Sequence, residues 1–422
     1  MLSGQLVLVS ALVRDLDVLR SKTSDWLSAN WDPDATMRQW WRRLADAGLC
    51  APQWPKDWFG LGYGAEEASA VRKVITEAGV PGPPAGIGMM MAGPTILAHG
   101  SDEQKARYLP GIVSGEANWC QLFSEPQAGS DLAGLRTTAQ RDTGKWRVNG
   151  QKLWTSNGHL ANVGMLLART DSTAPKHRGI TWFICDMDQP GIEVRPLREM
   201  TGRSLFNEVF LTDAVVSDDE IVGELNDGWA VARTTLAAER SAMSGGSDLV
   251  GGVPGRKGGI LEQAAGEVAE RMRGPRRKSG TAMAMRGKNF TILRDLAAER
   301  HRLEDPTVRY ALLELLFREK IIEYSRSRAQ DGRARGQLSG SESSIGKLMS
   351  SEAARIARDL ALEILSADGM LDGSDAPMEG VFQEMALFSP AVSIYGGSDE
   401  IQRNVLAERI LNLPKDSWSG SA

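Results

Sequence analysis

The chain is short of the residues that build metal centres and disulfide frameworks. Its only cysteines, Cys50, Cys120 and Cys185, lie far apart with no CxxC spacing, so neither a zinc site nor a redox dithiol is expected, and reduced thiols in a cytoplasmic protein fit best. The histidines, His99, His159, His177 and His301, are scattered without an i, i+4 pair, and no metal is expected. Charge of one sign is lacking too. A formal net charge of -5 with 24% charged residues gives no case for nucleic acid or for electrostatic capture, and points to a small-molecule ligand. No stretch reaches the roughly 18 uninterrupted apolar residues of a membrane span. The apolar start is broken by Arg14, Asp15 and Asp17 and reads as a first helix, not a targeting segment. Neither a GxSxG elbow nor a P-loop is present, which removes esterase and nucleotide hydrolase readings. Gly60, Gly62 and Ala65 satisfy a relaxed dinucleotide fingerprint, but Pro55 and the neighbouring charges forbid the buried strand it requires, so this segment is expected to be a loop.

What is present is length and a change of texture. At 422 residues the chain exceeds one hydrophobic core, so two or three domains are expected. Residues 1–118 read as helical and punctuated. Leu44, Ala47 and Leu49 share an apolar stripe that ends at Pro52, Gly79 to Pro84 is a break, and Ile87 to His99 reads as one Met-rich apolar helix. Ser101 followed by Asp102 and Glu103 is an N-cap with acidic first-turn residues, opening a short helix. Residues 119–226 turn to alternation and β-branched runs, at Trp146–Gly150, Gly164–Arg169, Ile180–Asp186, Ile192–Pro196 and Glu208–Leu211, and read as a β domain. Residues 227–422 are helical again. A helix runs from Asp227 to Met243, and Asp305–Gln330, Ser343–Ala367 and Glu400–Leu411 have lengths suited to a bundle. Between them, residues 245–288 carry Gly-rich and basic stretches and read as a solvated loop, or as a border of a ligand channel.

Chemistry is carried by three runs: Ser124-Glu125-Pro126-Gln127-Ala128-Gly129-Ser130-Asp131, Lys152-Leu153-Trp154-Thr155-Ser156-Asn157-Gly158, and Ile394-Tyr395-Gly396-Gly397-Ser398-Asp399-Glu400-Ile401-Gln402-Arg403-Asn404. In kind and order they resemble the acyl-CoA dehydrogenases, over about residues 20–415. The resemblance implies an α+β multidomain fold: an N-terminal α-helical domain, a middle β-barrel domain and a C-terminal four-helix bundle. It implies bound FAD, bordered by Gln121, Leu122, Phe123, Ser124, Gly129 and Ser130, with Trp154, Thr155 and Ser156 at the ring and Arg300, Ser398 and Glu400 completing the cofactor contacts. A flavin needs such backbone and hydroxyl partners together with a flat apolar wall.

Oxidation of a thioester between its α and β carbons needs a carboxylate base for the α-proton and the flavin for the β-hydride. Many members of the family carry the base between the Tyr and Gly of the C-terminal run, where this chain has Gly396. A second subgroup carries it in a Glu-Arg pair on the helix entering the C-terminal domain, and Glu239-Arg240 stands there. The resemblance therefore implies Glu239 as the base, Gly396 as a backbone N–H donor to the thioester oxygen, and Ser130 and Arg240 beside the acyl-CoA; Arg240 reads equally as half of a structural ion pair. It also implies a trans-2-enoyl-CoA product, an electron-transfer flavoprotein as acceptor, and an oligomer of like or related subunits. Some members act on fatty thioesters and some on bulky or steroid-derived ones. The chain departs from the family at Arg300-His301-Arg302-Leu303-Glu304, which keeps only the arginine of an Arg-x-x-Phe-Gly segment, and at Ser366-Ala367, where paired glycines are usual. These departures keep open a non-catalytic or half-site subunit of a heteromer. A flavin-dependent oxidase or monooxygenase on the same fold is the third reading, against which Glu239 argues.

Overall fold

The structure, a computed structural model, describes residues 2–244, 259–273, 284, 289–334 and 343–414. Contacts divide them into two units: the described residues of 1–197, 204–238 and 248–276 form the first, and those of 198–203, 239–247 and 277–422 the second.

The first unit begins with helices α1 (Leu2–Asn30), α2 (Met37–Asp46) and α3 (Ala65–Glu77). Thr36 and Gln39 close a capping box at the start of α2, whose Met37, Trp40, Trp41 and Leu44 are buried. Gly60, Gly62 and Ala65 lie in the loop before α3 and at its first residue, as expected. The Met-rich segment is not one uniform helix. Gly88–Ala92 forms a π-turn and α4 follows at Gly93–His99. Pro94 cannot donate to a carbonyl one turn back, and the wider turn before it absorbs that missing bond. Ser101 caps α5 (Asp102–Val113) in a second capping box with Gln104.

Seven strands follow: β1 (Trp119–Leu122), β2 (Thr138–Asp142), β3 (Lys145–Ser156), β4 (Val163–Arg169), β5 (Ile180–Asp186), β6 (Ile192–Leu197) and β7 (Phe206–Ser217). They pair in the order β1-β4-β2-β3-β7-β6, with β5 on β4, as a half-barrel. The apolar runs of β4 and β5 are explained by burial on both faces. Met165, Leu167, Ile180, Trp182 and Ile184 join the core with Ile96, Leu109 and Ile112, while Leu166, Ala168, Phe183 and Cys185 join Val148, Val209 and Leu211 in the half-barrel.

Helix α6 (Gly228–Ser244) leads on from the sheet. Much of residues 245–288 lies outside the described residues, but 259–273 do not form the expected solvated loop. They form helix α7 (Ala265–Arg273) after a 3-10 turn, because Leu261, Ala265 and Val268 are buried against Met37, Trp40 and Trp41. The second unit contains α8 (Phe290–Glu299), α9 (Pro306–Ala334), α10 (Ser343–Leu365), α11 (Val381–Val392) and α12 (Asp399–Arg409). Ala353, Ala354, Ala357 and Ala361 of α10 allow close approach to its neighbours, and Leu312, Leu315, Phe382 and Met385 fill the core around them. This is the helical bundle expected from the sequence. Among the described residues no helix is long and apolar enough to cross a membrane.

Candidate active site

In the first unit the fold joins the two runs that sequence alone set thirty residues apart. Strand β3 pairs with β7 at Lys152↔Val209 and resumes at Thr155↔Asn207, so one extra residue is accommodated between them. Such a bulge turns the strand and re-aims a side chain. Trp154 sits in it with a left-handed φ of 59° and 57% of its surface exposed, its ring edge against Phe206 at 5.8 Å. The Leu153 N–H, freed from β7, donates to the Ser124 carbonyl at 2.8 Å.

Lys152 lies beneath this bond. The period-2 pattern of β3 places it on the same face as buried Trp146 and Val148, and its side chain is 0% exposed. Its Nζ donates to the Phe123 carbonyl at 3.2 Å, to the Leu167 carbonyl at 2.8 Å and to Glu125 Oε1 at 2.8 Å. Glu125 also accepts from the N–H groups of Arg136, at 2.6 Å, and Thr137, at 2.9 Å. Burial opposes the Glu125 charge, but Lys152, Thr137 and Arg136 together hold its carboxyl below the usual value. Burial pushes the Lys152 ammonium down to about 8 despite Glu125.

Around this pair, Ser124, Ser156 and Gln121 are half-buried and Gly129 and Ser130 are exposed. Leu122 and Phe123 have their side chains buried in the cores, leaving only backbone to meet a ligand. Thr155 is fully buried, its Oγ1 without a partner, and its carbonyl accepts from Asn207, which also meets His159 at 3.0 Å. Sequence reasoning overlooked Glu125, Lys152 and Asn207 as parts of this arrangement. The parity of Lys152 was the available signal, since a lysine on an inward face requires an internal partner.

In the second unit, Glu239 and Arg240 are half-buried on α6. Burial lowers the Arg240 pKa, with Glu239 opposing and Arg409 reinforcing that shift. The Tyr395–Ser398 turn carries left-handed φ values at Gly396 (64°) and Gly397 (87°), which glycine adopts without strain. Buried Gln402 holds it from behind, donating from Nε2 to the carbonyls of Gly396 at 2.9 Å and Gly397 at 3.3 Å. Ser398 caps α12, and buried Asp399 pairs with Lys347 at 3.2 Å and Arg355 at 2.9 Å. Glu400 is exposed beside Arg403. Arg300 is ion-paired with Asp368, and Ser366 holds a left-handed φ of 51°.

Helices, a half-barrel and a helical bundle follow one another, with motif residues on a strand bulge in the first unit and on a diglycine turn in the second, the three-part architecture of a class of oxidoreductase. Residues 18–116, 120–214 and 256–411 match the N-terminal, middle and C-terminal domains of acyl-CoA dehydrogenases in turn. The chain is 33% identical over 383 residues to acyl-CoA dehydrogenase IpdE1 of Mycobacterium tuberculosis, covering 90% of this chain and 89% of that protein. It is 39% identical over 375 residues to acyl-CoA dehydrogenase FadE34 of the same organism, covering 88% of this chain; it spans about half of that relative, 46% of its length. Among solved structures, the Tcur3481-Tcur3483 steroid ACAD shares the fold with a TM-score of 0.71 at 24% identity, covering 96% of this chain and 98% of that one. The chain belongs to the acyl-CoA dehydrogenase family, whose members are oxidoreductases and flavoproteins.

Proposed function

We propose that the chain catalyses FAD-dependent α,β-dehydrogenation of an acyl-CoA thioester to the trans-2-enoyl thioester. The observation that carries this reading is the bulge in β3, which turns Trp154 outward while Leu153 binds Ser124. An exposed aromatic ring on a strand whose backbone is bonded to Ser124, with Ser130 and Ser156 in the same two runs, offers the flat face and hydroxyls that a flavin ring and pyrophosphate require, so the residues present fit FAD. When bound, FAD supplies the acceptor for the β-hydride. Glu239 removes the α-proton, and the Gly396 N–H donates to the thioester oxygen, where negative charge grows as that proton leaves. Gln121 to Ser124, Gly129, Ser130 and Trp154 to Ser156 border the flavin, with Arg300, Ser398 and Glu400 as its further contacts; Ser130 and Arg240 adjoin the acyl-CoA. An electron-transfer flavoprotein takes the electrons onward.

Assembly into an oligomer, with like or related subunits, is supported by α9, where Tyr310, Leu313, Phe317, Ile321 and Tyr324 form an exposed apolar stripe at helical spacing. Two observations favour a second reading, a half-site subunit of a heteromer: Ser366 occupies a left-handed position where the family pattern has glycine, and Arg300 is engaged by Asp368.

The test is Glu239→Gln in the flavin-loaded protein, assayed anaerobically with fatty, branched and steroid-side-chain thioesters. Flavin content should be retained and turnover should fall about 100-fold or more. Undiminished turnover in this variant sinks the assignment of the base. A chain that holds flavin substoichiometrically alone, and fully only with a related subunit, establishes the half-site reading.

A further inference from the structure

We propose that the buried Glu125–Lys152 pair is the positioning device of the flavin rim: it fixes the distance between the Ser124 run and the Trp154 run and thereby sets flavin affinity and ring environment. The inference rests on the FAD reading above. Neither residue is a candidate to touch the flavin. Both act through the backbone groups that they hold.

The geometry makes the pair more than an isolated ion pair. Lys152 grips both neighbours of Ser124, through the Phe123 carbonyl on one side and the Glu125 carboxylate on the other. One residue further along β3, the Leu153 N–H binds the carbonyl of Ser124 itself. Ser124 is thus fixed from three adjacent points, two of them on a single ammonium. Glu125 performs the same office for the loop that carries Gly129 and Ser130. Its backbone forms a bridge with Ala128, with N–H···O distances of 3.1 Å in both directions, and its carboxylate takes the N–H groups of Arg136 and Thr137 at the loop's far end. The loop is therefore clamped at both ends by one residue, through its backbone at the near end and its carboxylate at the far end. On the other strand, Lys152 is the last residue in register with β7 before the bulge, so it sets where the bulge begins and where Trp154 emerges.

Burial gives the arrangement its stiffness. Side-chain exposures of 0% for Lys152 and 4% for Glu125 leave water no access with which to substitute for a lost partner. A hydrophobic pair would fill the space, yet it would leave the Phe123 and Leu167 carbonyls and the Arg136 and Thr137 N–H groups without partners. The charges thus organise backbone on both runs, a task that apolar side chains cannot perform.

The experiment compares wild type, Lys152→Met and the double variant Glu125→Gln/Lys152→Met, each as the full chain. The double variant contains no unpaired buried charge and keeps an amide oxygen to accept from Thr137. Three quantities are read: the melting temperature, the FAD dissociation constant from flavin fluorescence, and the visible bands of the bound flavin. Positioning requires that the double variant recover much of the melting temperature lost in Lys152→Met, while its FAD affinity stays weakened about tenfold or more and its bands remain shifted. Recovery of affinity and bands together with the melting temperature would overturn the proposal, because the pair would then be structural only.

Hydrogen exchange on wild type supplies a measurement that does not depend on any variant folding. With FAD present, the amides of Arg136, Thr137 and Leu153 should gain protection as a group. Exchange unaltered by bound FAD at those amides would also overturn the proposal. Wild type that binds no FAD at all removes the FAD reading and this inference together, an outcome distinct from wild type that binds FAD indifferently to the pair.

Discussion

The rim at Ser124 and Trp154 and the turn at Tyr395–Ser398 are both held from behind, but by unlike chemistry. At the rim a fully buried charge pair reaches out to four backbone groups. At the turn a neutral amide, Gln402, holds two carbonyls, and the nearby charges of Asp399, Lys347 and Arg355 anchor the helix that follows. The difference follows from what each region presents. The rim offers an aromatic ring on β3 and hydroxyls on the loop after β1, and their separation must be fixed, which calls for strong links between distant segments. The turn offers backbone, and glycine at left-handed φ makes its shape nearly strain-free, so a clamp of modest strength is enough.

The comparison is tested most severely by Lys152→Met. Leaving Glu125 buried without its cation should cost about 3–5 kcal/mol in chemical denaturation at neutral pH. The pH dependence gives the sign. The Glu125 carboxyl is held below its usual value of 4.5 in the folded chain, so the unfolded state binds more protons as the solution becomes acidic. Its contribution is complete above that value and is lost as pH falls through the folded one. The stability gap between wild type and Glu125→Gln should therefore narrow below pH 4.5, and a gap that stays constant into acid would show that the carboxylate charge is not what stabilises the rim.

At the turn, the matching change is Gln402→Leu, which removes two hydrogen bonds and should cost about 1–3 kcal/mol. Its sharper consequence is functional. If the clamp serves the thioester and not the flavin, turnover should fall while flavin content and spectrum are kept, the reverse of the pattern expected for Lys152. Gly397→Ala probes the same point from the other side of the clamp. A Cβ there would press on Gln402 Nε2 at a φ of 87°, so about 1–2 kcal/mol of backbone strain is expected together with displacement of the Gln402 amide, read as a lowered midpoint in the same denaturation assay.

How much of this was legible in the sequence depended on whether side-chain parity survived. Strand β5 was evident because Ile180 to Asp186 is a short apolar run closed by turn residues, and its burial on both faces explains the lack of alternation. Strand β2 was not, because in Thr-Ala-Gln-Arg-Asp only Ala139 is buried, leaving no period to detect. Strand β3 was read only as far as Gly150, because Gly150 and Gln151 are both half-buried, the next inward position is a lysine, and the bulge after Lys152 ends the alternation. The site was legible as separate runs. The contacts that join them, Leu153 to Ser124 and Lys152 to Glu125, are long-range pairings that no local pattern encodes.

The smallest expected effect lies at Ser366, and it bears on whether the chain needs a partner. Serine at a φ of 51° carries left-handed strain that glycine would relieve, but the Ser366 hydroxyl accepts from Arg302 at 3.1 Å and donates to the Glu363 carbonyl at 3.2 Å. Ser366→Gly gains conformational ease and loses those bonds, and glycine also adds freedom to the unfolded chain. The net change in stability should stay within about 1 kcal/mol. Flavin content is the informative quantity, because it responds to space at the backbone and stability does not. A rise in the flavin-to-chain ratio of the lone protein after Ser366→Gly would mean that this side chain crowds a cofactor contact, and that the rim was already competent. An unchanged, substoichiometric ratio would place the deficit elsewhere, with Arg300 and its partner Asp368 as the next pair to separate.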